Sequence, residues 1–122
     1  MRSQMAEAFY NYLTDTDDAT SAGAGTRNGR DIDPDVVKVM AAKGINVADK
    51  KSTELTQEMF NSADKVIWFP TSFMPDYVKG SHKAEFWDVS DPWYEPETSD
   101  DFMAQTADKI EVRVKKLIEG AK

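Results

Sequence analysis

The residues of this chain that could do chemistry fall in two places. These are Arg2-Ser3 near its start and Asp91-Pro92-Trp93-Tyr94 towards its end. The first pair opens a segment in which Met5, Ala6, Phe9, Tyr12 and Leu13 recur at helical spacing, so one face can be buried. Ser3 stands where an N-cap belongs, and Glu7 lies near the positive end of the helix dipole. A helix start with an arginine and a hydroxyl suits phosphate or a similar oxyanion. The same residues also suit a capped surface helix whose arginine is simply solvated. Asp91 before Pro92 is ordinarily a turn initiator, and catalysis is the rarer use of such a pair. Trp93 and Tyr94 fit packed rim aromatics as well as substrate contacts.

Several other chemistries are excluded or disfavoured. The chain has no cysteine, which removes disulfides, thiolate metal sites and cysteine nucleophiles together. A single histidine, His82, cannot build a histidine metal cluster, and no acidic pair has metal-ligand spacing, so neither metal nor cofactor is expected. His82 itself reads as a surface residue. A formal net charge of −7 disfavours nucleic-acid and anionic-membrane surfaces, although a local positive pocket remains compatible with it. Arg27 and Arg30, in a glycine-rich loop, read as solvated side chains that could also attract an anion. The longest apolar run, Val66 to Phe69, is strand-sized, and no signal peptide is recognised, so a cytoplasmic protein is expected.

The elements that must position these residues can be read in chain order. Asp15, Asp17 and Asp18 form a solvated turn after the first helix, and Ala19 to Ala22 is a candidate short strand. Asp33-Pro34 starts a second helix, with Asp as N-cap and Pro at the first helical position. Val36, Val37, Met40 and Ala41 make its expected buried stripe, and Gly44 ends it. Thr56 caps a brief helix through Phe60. Lys65 to Phe69 then reads as a strand covered on both faces, ended by Pro70. Ser72 to Lys79 is a short helix stopped by Gly80, and Ala84 to Val89 is a second strand. A final helix starts at Ser99, with Met103, Ala107, Ile110, Val114 and Leu117 as its core stripe. Strands alternating with helices predict an α/β fold, with a mostly parallel sheet and helices on both faces. The length fits one domain, residues 1–122.

In order along the chain, Arg2-Ser3-Gln4-Met5-Ala6-Glu7, Ser21-Ala22-Gly23, Asp33-Pro34, Gly44-Ile45, Ala63-Asp64 and Asp91-Pro92-Trp93-Tyr94 resemble one family. It is that of the low-molecular-weight protein tyrosine phosphatases, which share their fold with thioredoxin-coupled arsenate reductases. The stretch from Asp33 to Leu55 is closer to the reductases, and the Asp-Pro-Trp-Tyr loop to the phosphatases. The resemblance spans essentially the whole chain. It implies a loop of cysteine, five residues, arginine, then serine or threonine, wrapped around a phosphoryl group. In that loop a thiolate attacks, an arginine fork binds two oxygens, and an aspartate protonates the leaving oxygen. Transferred to matching positions, the arginine is Arg2, the hydroxyl Ser3 and the latent general acid Asp91. Trp93 and Tyr94 would form the aromatic wall beside the substrate.

The nucleophile has no counterpart here. The resemblance implies that the first strand and most of the phosphate loop are missing, so phosphatase or reductase chemistry is not expected from this chain alone. In the family that strand lies inside the sheet, between the segments here at Ala19 to Ala22 and Lys65 to Phe69. Without it, both neighbours present unpaired main-chain groups, so homo-oligomerisation or a strand-donating partner is expected. The alternative functions are a non-catalytic oxyanion or phosphopeptide binding module and an oligomerising or partner-binding module.

Overall fold

The structure, a computed structural model, describes residues 2–23, 28–71, 73–89 and 100–120. Its first element, α1 (Arg2–Thr14), buries Met5 and Phe9. Arg2 already belongs to the helix, so Ser3 lies within the first turn and is not the N-cap expected of it. Tyr12 and Leu13 are exposed, so the buried stripe is narrower than its apolar residues suggest. The helix ends with Asp15 in the left-handed region (φ 55°), and the Thr16 amide returns to the Asn11 carbonyl.

The segment after the turn is not a strand. Asn11 on α1 donates its amide to the Ala19 carbonyl at 3.0 Å and accepts from the Ala19 N–H at 2.9 Å. Glu7 accepts from the Ser21 N–H at 3.0 Å. Side chains of α1 thus supply the pairing that a ladder would have given. Only at Gly23 does main-chain pairing begin, as a parallel bridge to Glu54.

α2 (Pro34–Ala42) follows the capping chemistry of its sequence: the Asp33 carboxylate accepts from the Asp35 N–H at 2.8 Å, and proline opens the helix. Val36, Val39 and Met40 are its buried residues, whereas Ala41 is exposed and Val37 only half-buried. Gly44 takes φ +83°, and the amides of Gly44 and Ile45 close on the carbonyls of Ala41 and Met40. Ile45 and Val47 turn back into the core. α3 (Gln57–Ser62) is capped by Thr56, whose hydroxyl accepts from the Met59 N–H at 3.2 Å.

β1 (Val66–Trp68) and β2 (Ala84–Phe86) pair in parallel, with α4 (Asp76–Lys79) in the crossover between them. Both strands are shorter than the apolar runs that predicted them, and β1 is half-buried along its length, not covered on both faces. The face bearing Ile67, continued by Phe69 and Trp87, joins the core. The opposite face carries Trp68 and Phe86, with ring centroids 4.5 Å apart and Phe86 exposed. Lys83, entering β2, donates to the Phe60 and Ala63 carbonyls at 2.6 and 2.7 Å, which holds the end of α3 against the strand pair.

α5 (Asp100–Gly120) packs against α1 and α2. Its stripe of Met103, Ala107, Ile110 and Val114 is buried as predicted, with Leu117 packed at the margin. The start expected at Ser99 lies outside the described residues. No described helix is long and apolar enough to cross a membrane.

Candidate oxyanion site

Parallel strands joined by helical crossovers leave their carboxyl ends open beside the helix starts, where α/β folds bind ligands. Arg2 is seated there. Its Nη1 donates to the Val89 carbonyl at 2.8 Å, and its Nη2 to the Pro70 carbonyl at 2.8 Å. Pro70 lies just beyond β1, and Val89 just beyond β2. The guanidinium therefore bridges the carboxyl ends of both strands. It also lies over the Phe69 ring, 5.5 Å from the centroid, which adds a cation–π contact. Two carbonyls and one ring fix the plane of the guanidinium.

Three features of the fold put Arg2 there. Met5 and Phe9 anchor α1 in the core one and two turns further on. Pro70, with no N–H of its own, ends the apolar run and leaves its carbonyl to accept from the arginine. Trp87 and Val89 are buried, and the Val89 N–H closes on the Trp87 carbonyl at 2.8 Å, turning the chain beyond β2 beside Arg2.

Ser3 follows on the same helical turn and is half-buried. Asp91, Trp93 and Tyr94 lie outside the described residues, as does Arg27. Arg2 is nonetheless bonded to Val89, two residues before Asp91 in the chain. Arg30 and His82 are exposed, as expected of solvated side chains. Among the described residues there is no group of three His, Cys, Asp or Glu side chains that could hold a metal ion. The sequence reading missed Pro70, Val89 and Phe69 as partners of Arg2. The signals for them were that Phe69-Pro70 closes one expected strand and Val89 the other, where strand ends must lie.

The site therefore belongs to an α/β fold with an arginine at the carboxyl ends of its parallel strands. The sequence profile of low molecular weight phosphotyrosine protein phosphatases matches residues 1–72. An arsenate reductase of Shouchella clausii is 30% identical over 128 aligned positions, covering 97% of this chain and 87% of that one. A probable low molecular weight protein-tyrosine-phosphatase of Ralstonia solanacearum is 35% identical over 66 residues, 54% of this chain and 46% of that one. The solved low molecular weight protein tyrosine phosphatase from T. tengcongensis superposes with a TM-score of 0.79 at 26% identity, covering 98% of this chain and 90% of that one. This chain belongs to the low molecular weight phosphotyrosine protein phosphatase family, in which phosphatases and arsenate reductases share one fold.

Proposed function

We propose that this chain supplies the arginine and the acid of an oxyanion site for a phosphate monoester or arsenate. In this reading Arg2 grips two oxygens of the tetrahedral anion, Ser3 lies beside them, and Asp91 protonates the leaving oxygen. Trp93 and Tyr94 flank the substrate. The observation that supports it is the placement of Arg2, held by the Pro70 and Val89 carbonyls at the carboxyl ends of β1 and β2. No thiolate is available from a polypeptide without cysteine, so the 122-residue chain alone binds the anion without turning it over. Aryl phosphate hydrolysis by the purified chain therefore stays at background. Vanadate-sensitive turnover that disappears in Asp91→Asn would overturn this. Calorimetry with phosphate, sulfate and phosphotyrosine tests binding: heat that Arg2→Ala abolishes supports the site, and heat that the substitution leaves unchanged ends the reading.

One further observation favours a strand-accepting role alongside it. The Val66 N–H donates to the Lys83 carbonyl, and the Trp68 carbonyl accepts from the Trp87 N–H, so residues 66 and 68 turn their main chain towards β2. Ile67 therefore turns its N–H and C=O to the opposite edge of β1. Among the described residues no strand pairs there. A strand from a second copy or from another polypeptide satisfies that edge. The test is solution mass with and without an added strand peptide, and a chain that stays monomeric and binds no strand would sink this role.

A further inference from the structure

Away from the Arg2 site, a groove of about 440 Å³ runs between the strand pair and the C-terminal half of α5. It is lined by Lys65, Glu85, Trp87, Arg113, Lys116 and Leu117. Glu85 is engaged through both oxygens: Oε1 faces Lys65 Nζ at 3.8 Å, and Oε2 accepts from the Trp87 indole N–H at 2.5 Å. Its charge is thus committed within the groove wall. Arg113 lies over the Trp87 ring, 6.0 Å from the centroid, and Lys116 follows three residues later on the same helix face. Among the described residues no carboxylate pairs with Arg113 or Lys116. The neighbouring Lys115 instead points to Glu111, at 3.6 Å.

Three cations and one committed anion in a single groove stand out on a chain of net charge −7. Basic residues near a helix C-terminus ordinarily offset its dipole, but that effect is confined to the last turn, and no basic residue lies in the last turn of α5. We propose that this groove docks an acidic peptide segment of a protein partner. Its carboxylates face Arg113 and Lys116, and an apolar side chain lies against Leu117. A single compact anion fits less well: the cations stand on two separate elements with an apolar residue among them, and the negative end of the α5 dipole lies close by. A nucleic-acid strand is disfavoured by the chain's net charge of −7.

The test is a titration of the ¹⁵N-labelled chain at low salt with a peptide of alternating glutamate and leucine, against a lysine–leucine control. Saturable shifts at the Trp87 indole and at the Lys116 and Leu117 amides are expected. They should weaken by about tenfold in R113E/K116E. Lys116 is exposed, so Lys116→Glu alone provides a variant whose folding is not at risk, and a smaller weakening in it is also expected. The proposal is overturned if the acidic peptide shifts other residues or none, or if the lysine–leucine peptide binds equally well. It is also overturned if inorganic phosphate reproduces the shifts at the same concentration, which means a compact-anion site, or if a single-stranded oligonucleotide binds more tightly than the peptide.

Discussion

Arg2 donates to the Val89 carbonyl across 87 positions of chain, and to the Pro70 carbonyl across 68. Arg2 is thus a strut between α1 and the carboxyl ends of both strands. Charge-assisted bonds of this kind contribute roughly 1.5–3 kcal/mol each where water is excluded, and less at a half-buried position. Arg2→Ala should therefore lower unfolding free energy by about 2–3 kcal/mol. Arg2→Lys should recover only part of the loss, because a single ammonium cannot reproduce the fork. Urea denaturation measures both, and an unchanged midpoint in Arg2→Ala would show that the strut is solvated in solution.

Lys83 ties the end of α3 to the entry of β2. Its ammonium meets the Phe60 and Ala63 carbonyls and lies 4.4 Å from the centre of the Phe60 ring. Lys83→Met keeps the aliphatic stem but takes the ammonium from both carbonyls, leaving that of Phe60 only its bond from the Ala63 N–H. The expected cost is about 1–3 kcal/mol. Amide exchange should quicken first in α3, and a protection pattern unchanged there would refute the tie.

Gly44 holds φ +83°, and a Cβ added there would meet nothing within 4 Å. Any penalty for Gly44→Ala is therefore a backbone penalty, not a clash. The left-handed conformation costs an L-residue roughly 1–2 kcal/mol, partly offset by a stiffer unfolded chain, which leaves a net loss of about 1 kcal/mol. Gly44→Asn should lose less, and thermal melts of the two variants make the comparison.

Lys43 closes the far side of the core, its ammonium 2.7 Å from Asp108 and 3.0 Å from Glu111 on α5. The hydrogen bond to Asp108, then that to Glu111, raises its pKa above the ordinary 10.5. A group whose pKa is raised by folding stabilises fully below its unfolded value and loses that contribution as pH climbs through the folded value. At pH 7 Lys43→Met should be less stable by about 0.5–1 kcal/mol. The gap between wild type and variant should narrow only above about pH 10.5. Urea titrations at pH 7 and pH 11 test the sign, and a gap that widens with alkali would contradict it.

The elements most legible in the sequence were those with local chemistry. Asp33-Pro34 and Gly44 marked both ends of α2, and the stripe from Met103 to Val114 marked the buried face of α5. Such signals are contained within a few turns of chain. Ser3 misled because a hydroxyl marks a cap only if the residue before it is not already helical, and Arg2 is. Ala19 to Ala22 misled for a different reason. Its main-chain partners are the side chains of Asn11 and Glu7, and neither residue type announces that it will substitute for a strand. Arg2 was singled out by family resemblance, whereas its carbonyl partners depend on the ends of two strands 68 and 87 positions away. No short window of sequence contains that information.

The packing of α1 on α5 bears on how the protein is born. Met5 and Phe9 leave the ribosome roughly 100 positions ahead of Met103 to Val114, which help to bury them. At about 5–20 residues per second, the ribosome leaves those apolar side chains waiting several seconds or more for their cover. Until α5 has emerged, the apolar face of α1 lacks that cover, so this helix–helix contact cannot be the first to form.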